Sequence, residues 1–174
     1  MSTLRFAAVV ALGLLAGACG QDKTASLPPP HEPGPDAVGT ICRMALSEHA
    51  GPKGQVFVGR QDRPLWFSSV RDTFTWLLVE STPGSGYAAI WVNDMGRSAT
   101  WDTPAAGAWV EAREAVFVVG SGQGAQMGGS ELVPFSDKDK ANRFAADHGG
   151  TVMAFAQITR DVLAATEHQG NGHD

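Results

Sequence analysis

The sequence has no block of basic residues that could track a phosphate backbone, and its net charge is -5. Both facts argue against nucleic acid as a partner. It holds only two cysteines and no Cys-x-x-Cys pair, so the dithiol redox motif is missing. A P-loop Lys-Ser/Thr pair and a dinucleotide fingerprint are missing too, although one stretch is rich in glycine. Charged residues are scarce at 18% while hydrophobic ones reach 43%, a balance that describes a globular chain and not a disordered one. The length of 174 residues suits one domain or two small lobes sharing a core. Glycine (21) and proline (10) are frequent, which predicts many turns and short elements.

The N-terminal stretch does not belong to the fold. Arg5 precedes an apolar run over residues 6–16 that is shorter than the roughly 20 residues a bilayer span requires. The run ends in Leu15-Ala16-Gly17-Ala18-Cys19, similar to a bacterial lipobox, in which Cys19 becomes the lipidated first residue. Ala16 stands where leucine is usual, and an ordinary signal peptide cleaved near Ala18 is the alternative. Gly20 after the cysteine, in place of aspartate, resembles lipoproteins sorted to the outer membrane. Residues 19–37 then form a proline-rich tether after the 1–18 signal segment, sampling extended polyproline conformations at about 3 Å per residue. His31 in this tether is expected to be solvated.

Lipidation of Cys19 would leave Cys42 alone in an oxidising compartment, where an unpaired thiol suggests a ligand or a nucleophile. A Cys19–Cys42 disulfide is the alternative. Cys42 lies close to Met44 and His49. On an extended backbone Cys42 and Met44 project to the same side. Thiolate and thioether are soft donors that select Cu(I), and neutral imidazole suits copper or zinc. The competing reading is a buried Cys and Met filling a core gap.

From Gly54 onward two passages share one order. Residues 55–59 and 65–68 read as a hairpin, Ser68 or Ser69 caps a helix over 70–80, and 87–92 is a strand. In the second passage 115–120 and 132–135 are strands, Ser136 caps a helix over 137–147, Gly149-Gly150 stops it, and 151–158 is a strand. The pattern is a duplicated ββαβ unit in an α+β fold, with lobes at 38–98 and 99–160 and a polar tail at 161–174. Neither half buries enough apolar surface alone, so a shared interface is expected. The glycine-rich loop from Ser121 to Ser130 carries Met127, whose burial no helix or strand spacing explains.

Cys42-x-Met44, Glu48-His49-x-Gly51-Pro52-Lys53-Gly54-Gln55 and Trp66-Phe67-Ser68-Ser69-Val70-Arg71-Asp72 resemble the NosL family. The likeness continues through Val92-x-Asp94-Met95-Gly96, Trp101, Trp109-x-x-Ala112, Gly120-Ser121, Met127-Gly128-Gly129, Pro134-Phe135-Ser136 and His148-Gly149-Gly150. It covers residues 39–158. The resemblance implies two packed ββαβ lobes similar to organomercurial lyase. It also implies a periplasmic, lipid-anchored Cu(I) chaperone. Copper would pass to apo nitrous oxide reductase for its copper–sulfide cluster, with help from the NosDFY transporter complex.

Carried over residue by residue, Cys42 and Met44 lead the ligand set and Met127 follows. His49 is a further ligand, or it serves a neighbouring second metal ion, or it supports the ligands without binding the metal. Met95 is ligand, lining or core. Met153 reads as packing, His148 as a helix-end cation, and His168 and His173 as solvated tail residues. Zinc would want His49 with a carboxylate such as Glu48, whereas two thioethers disfavour it. Two rival classes remain: a thiol-dependent lyase or oxidoreductase using Cys42 with His49 as base, and a lipoprotein that only recruits partners. The carrier reading ranks above both.

Overall fold

A computed structural model describes residues 26–82, 86–124 and 128–167. The signal segment with Cys19, the loop residue Met127, and His168 and His173 lie outside the described residues.

The first lobe starts with β1 (Gly54–Val58), β2 (Leu65–Phe67) and α1 (Val70–Thr75), and α1 runs on as one π-helical stretch over Trp76–Glu80. It continues with β3 (Tyr87–Asn93) and β4 (Trp109–Glu111). The second lobe contains β5 (Val116–Val119), β6 (Val133–Phe135), α2 (Lys138–His148) and β7 (Thr151–Ala154). A last helix, α3 (Arg160–Glu167), follows. Pairing is antiparallel throughout, in a four-stranded sheet ordered β2-β1-β3-β4 and a three-stranded sheet ordered β6-β5-β7. Each lobe therefore places its first strand in the middle, with the second strand on one flank and the post-helix strand on the other. The repeated ββαβ order read from sequence is this arrangement.

Strand alternation decides what each face meets. In β5, Phe117 and Val119 face the main core while Val116 and Val118 face a smaller cluster under α2. In β1, Val56 enters the main core, and Gln55 and Phe57 point to the opposite face of the sheet. The main core draws on both lobes, joining Val56, Phe74 and Ile90 to Phe117, Leu132 and Leu163. Phe74 meets Phe117 edge to face, with ring centroids 5.1 Å apart at 87°.

Several local expectations are corrected. Asp137, not Ser136, caps α2 by accepting from Asp139 and Lys140 N–H; Ser136 instead donates to buried Asp94. At α1 the cap is Ser69, which accepts from Asp72 N–H. The last strand ends at Ala154 and gives way to a 3-10 turn over Phe155–Gln157. β4 lies beyond residue 98 yet adds to the first sheet, so that sheet runs past the expected lobe boundary. Residues expected at the start of a polar tail form α3, with Leu163 and Thr166 buried.

The proline-rich segment is also not free up to residue 37. Trp91 Nε1 donates to Pro28 O, and the Gln55 side chain exchanges two hydrogen bonds with the His31 backbone. Glu32 accepts from Gly107 N–H and Trp109 Nε1. His31 itself stays exposed, with its ring edge against Phe57.

Candidate metal centre

Residues 37–46 close on themselves beside the end of β2. Gly39 N–H donates to Met44 O, Arg43 N–H to Gly39 O, and Leu46 N–H to Ala37 O, while Val38 and Ala45 form an isolated bridge. Thr40 N–H bonds Trp66 O at 2.7 Å and fastens the loop to β2. Arg43, between the two sulfur residues, has φ of 60°. That left-handed value costs a non-glycine residue roughly 1 kcal/mol. The extended backbone expected between Cys42 and Met44 is therefore replaced by a tight turn.

The turn puts Met44 outside and Cys42 at the edge. Met44 is 38% exposed, so it is not a core filler. Cys42 is a half-buried free thiol, and its Sγ lies 3.8 Å from His49 Nε2 and 4.0 Å from Met44 O. His49 follows the short 3-10 turn Leu46–Glu48 and is buried. Its Nδ1 is a buried atom without a hydrogen-bond partner among the described residues. Two donors thus converge, one of them on a side chain with an unspent polar atom.

Gly39 makes room for the sulfur. A Cβ at that position would lie 2.5 Å from Cys42 Sγ, closer than any real contact. The floor beneath is polar: Ser68 donates to the Asp72 carboxylate at 3.1 Å. Burial pushes the Asp72 carboxyl up from its ordinary value, and hydrogen bonds from Ser68 and Ser69, with the charges of Arg71 and His49, pull it partly back. Asp72 is thus within electrostatic reach of His49. Sequence reasoning did not single out Gly39, Ser68 or Asp72 as site residues, although the Ser68–Asp72 run was visible as part of a motif.

The root of the Met127 loop is tied to the same helix. Glu131 is fully buried and accepts from Arg71 N–H and Leu132 N–H. Ser130 N–H donates to Thr166 O, and Arg71 donates to Thr166 Oγ1 and Leu163 O. Gly129, at φ 74°, lets the chain pass against the Arg71 guanidinium. Burial pushes the Glu131 carboxyl up to about 7 and lowers the Lys53 ammonium to about 8.

Met95 is placed elsewhere in character. It opens a 3-10 turn capped by Asp94 and packs against the cluster of Val118, Val133, Phe135 and Ala141. Packing accounts for it. Met153 packs against the main core, and His148 ends α2, its ring tilted at 40° against that of Phe144. Among the described residues, no three His, Cys, Asp or Glu side chains converge as a metal cage. The Cys42–His49 pair alone falls short of the four ligands of a structural zinc tetrahedron.

A family model described as NosL matches residues 30–163. A "Copper-binding lipoprotein NosL" of Achromobacter cycloclastes is 42% identical over 164 residues, covering 94% of this chain and 83% of the relative. One of the same name from Stutzerimonas stutzeri is 34% identical, covering 77% of this chain and 69% of the relative. The fold is similar to the crystal structure of the copper chaperone NosL from Shewanella denitrificans, with a TM-score of 0.69 and 32% identity over 77% of this chain and 99% of that one. A solution structure of apo-NosL from Achromobacter cycloclastes gives a TM-score of 0.50 at 40% identity, over 63% of this chain and 87% of that one.

Proposed function

The chain belongs to the NosL family, and from that premise we propose that it carries Cu(I) in the periplasm and hands it on for assembly of the copper–sulfide centre of nitrous oxide reductase. Cys19 would anchor it by lipid, at the outer membrane. Apo nitrous oxide reductase and the NosDFY transporter complex are the proposed partners.

The observation that carries this reading is the 3.8 Å separation of Cys42 Sγ and His49 Nε2 beside an exposed Met44. With zinc-like bond lengths of about 2.3 Å to sulfur and about 2.0 Å to nitrogen, one ion would hold these atoms about 3.5 Å apart at the tetrahedral angle and about 4.3 Å apart in a line. The 3.8 Å spacing falls within that range, so one ion could bridge both atoms. Cys42, His49 and Met44 are the proposed donors, joined by Met127. Met95 is left out because its packing explains it. An exposed thioether and a half-buried thiolate leave an approach for an acceptor's donor, so copper leaves by ligand exchange. Binding deprotonates the thiol, so affinity falls as pH falls.

A nucleophile and base would also use a thiol beside an imidazole. In that arrangement the second ring nitrogen is oriented by a carboxylate or carbonyl, and among the described residues His49 Nδ1 has no such partner. The carrier reading is favoured on that ground. Anaerobic titration against a Cu(I) chelator tests it. Cys42→Ala should lose most of the affinity and Met153→Leu none; unchanged affinity in Cys42→Ala would end the proposal.

A further inference from the structure

The outer face of the first sheet carries an unusual row for a strand surface. Gln55 pairs with Trp66 on one side and Trp91 on the other, and Asn93 pairs with Trp109. Cross-strand partners share a face, so three tryptophans and a buried amide lie together on the side away from the core. Residues 28–32 cross this face, and the proline that follows each of Pro28 and Pro29 biases those residues to extended conformations. Their contacts are those by which aromatic grooves hold polyproline helices, where indole N–H groups donate to exposed backbone carbonyls and rings pack against the chain. Trp91 Nε1 holds Pro28 O at 3.0 Å, and Gln55 takes both the N–H and the C=O of His31 at 2.9 and 3.0 Å. Trp109 Nε1 holds the Glu32 carboxylate at 2.8 Å. A side-chain amide spanning a backbone unit in both directions is recognition of an extended peptide, with no dependence on that residue's side chain.

We propose that this face is a polyproline-binding groove whose ligand is the chain's own segment 28–32, docking and releasing as one unit. The segment arrives already extended, so little conformational entropy opposes docking, and its covalent link gives it a high effective concentration. Beyond Glu32 the same strand of chain walls a cavity of about 390 Å³ that His49, Lys53 and Trp109 line from the other side. It then runs into the loop that holds Cys42. Docking thus holds Pro28 against the first sheet, and release adds residues 28–32 to the free tether, about 3 Å of reach for each. This last consequence rests on the anchored reading above; the groove itself does not.

The test is hydrogen exchange at the indole N–H groups of Trp91 and Trp109, followed by NMR on the full chain in detergent, without metal. Glu32→Ala removes an exposed acceptor that touches Trp109 and Gly107 but not Trp91. A single docking unit predicts exchange at least tenfold faster at both indoles in the variant, with the β1–β3 ladder amides unchanged. A millimolar synthetic peptide of residues 26–36 should then restore protection at Trp91. Loss confined to Trp109, or failure of the peptide to restore Trp91, would overturn the proposal. So would rapid exchange at both indoles in the unmodified chain, or protection that rises with protein concentration, which would place the segment on a second copy.

Discussion

At Gly39 the absence of one carbon decides where a sulfur sits. A methyl group there would meet Cys42 Sγ at 2.5 Å, so Gly39→Ala must displace the thiol from its position 3.8 Å from His49 Nε2. Cu(I) affinity in that variant is predicted to fall at least tenfold by chelator competition, although no donor is removed. Met44→Ala should show the complementary pattern. The residue is exposed, so stability should change by no more than about 0.5 kcal/mol in urea denaturation, while affinity drops. Glu131 gives a prediction about pH. Burial holds its carboxyl protonated up to about 7, against 4.5 for the ordinary group. The folded state therefore binds the extra proton in that window, and stability falls as pH rises from 4.5 to about 7, by at most about 1.4 kcal/mol per unit. Lys53, lowered to about 8 from 10.5, reverses the slope above pH 8, because the folded state sheds its proton first. Urea midpoints across pH should show the fall, and Glu131→Gln should flatten it.

Among the elements, apolar spacing was the legible part. Val70, Phe74, Leu77 and Leu78 announced one helical face, and the helix is present over that span. Its change to π pitch from Trp76 was not legible, because an extra residue per turn alters hydrogen bonding without altering which residues are apolar. Ser136 and Asp137 both suit a cap, and only the tertiary pull of Asp94 on Ser136 separates them. Cys42 and Met44 could be picked out by chemistry, but the reversal at Arg43 could not, since arginine rarely takes a left-handed φ. The docked prolines were likewise hidden. Proline composition predicts an extended chain, but Gln55, Trp91 and Trp109, which hold it, lie far along the sequence. Phe74, central to α1, packs on Phe117 and Phe155. Phe74→Ala is predicted to cost about 3–5 kcal/mol, measured by urea denaturation.

For the whole molecule, the two lobes have separate sheets and one main core. Arg71 binds them further, reaching from α1 to Leu163, Thr166 and Glu167 of α3. The lobes should therefore unfold in a single transition, with tryptophan fluorescence and far-ultraviolet circular dichroism coincident; two separated transitions would show that the shared core does not couple them. The proposed donor loop lies beside β2 of the first sheet, with Met44 exposed and Cys42 half-buried. The central claim is that Cys42 and His49 bind the same Cu(I) ion. X-ray absorption on the Cu(I)-loaded protein tests it most directly. Both sulfur and nitrogen neighbours are predicted in the unmodified chain, with the nitrogen lost in His49→Ala and Cu(I) affinity collapsing in Cys42→Ser. An all-sulfur spectrum that His49→Ala leaves unchanged would contradict it.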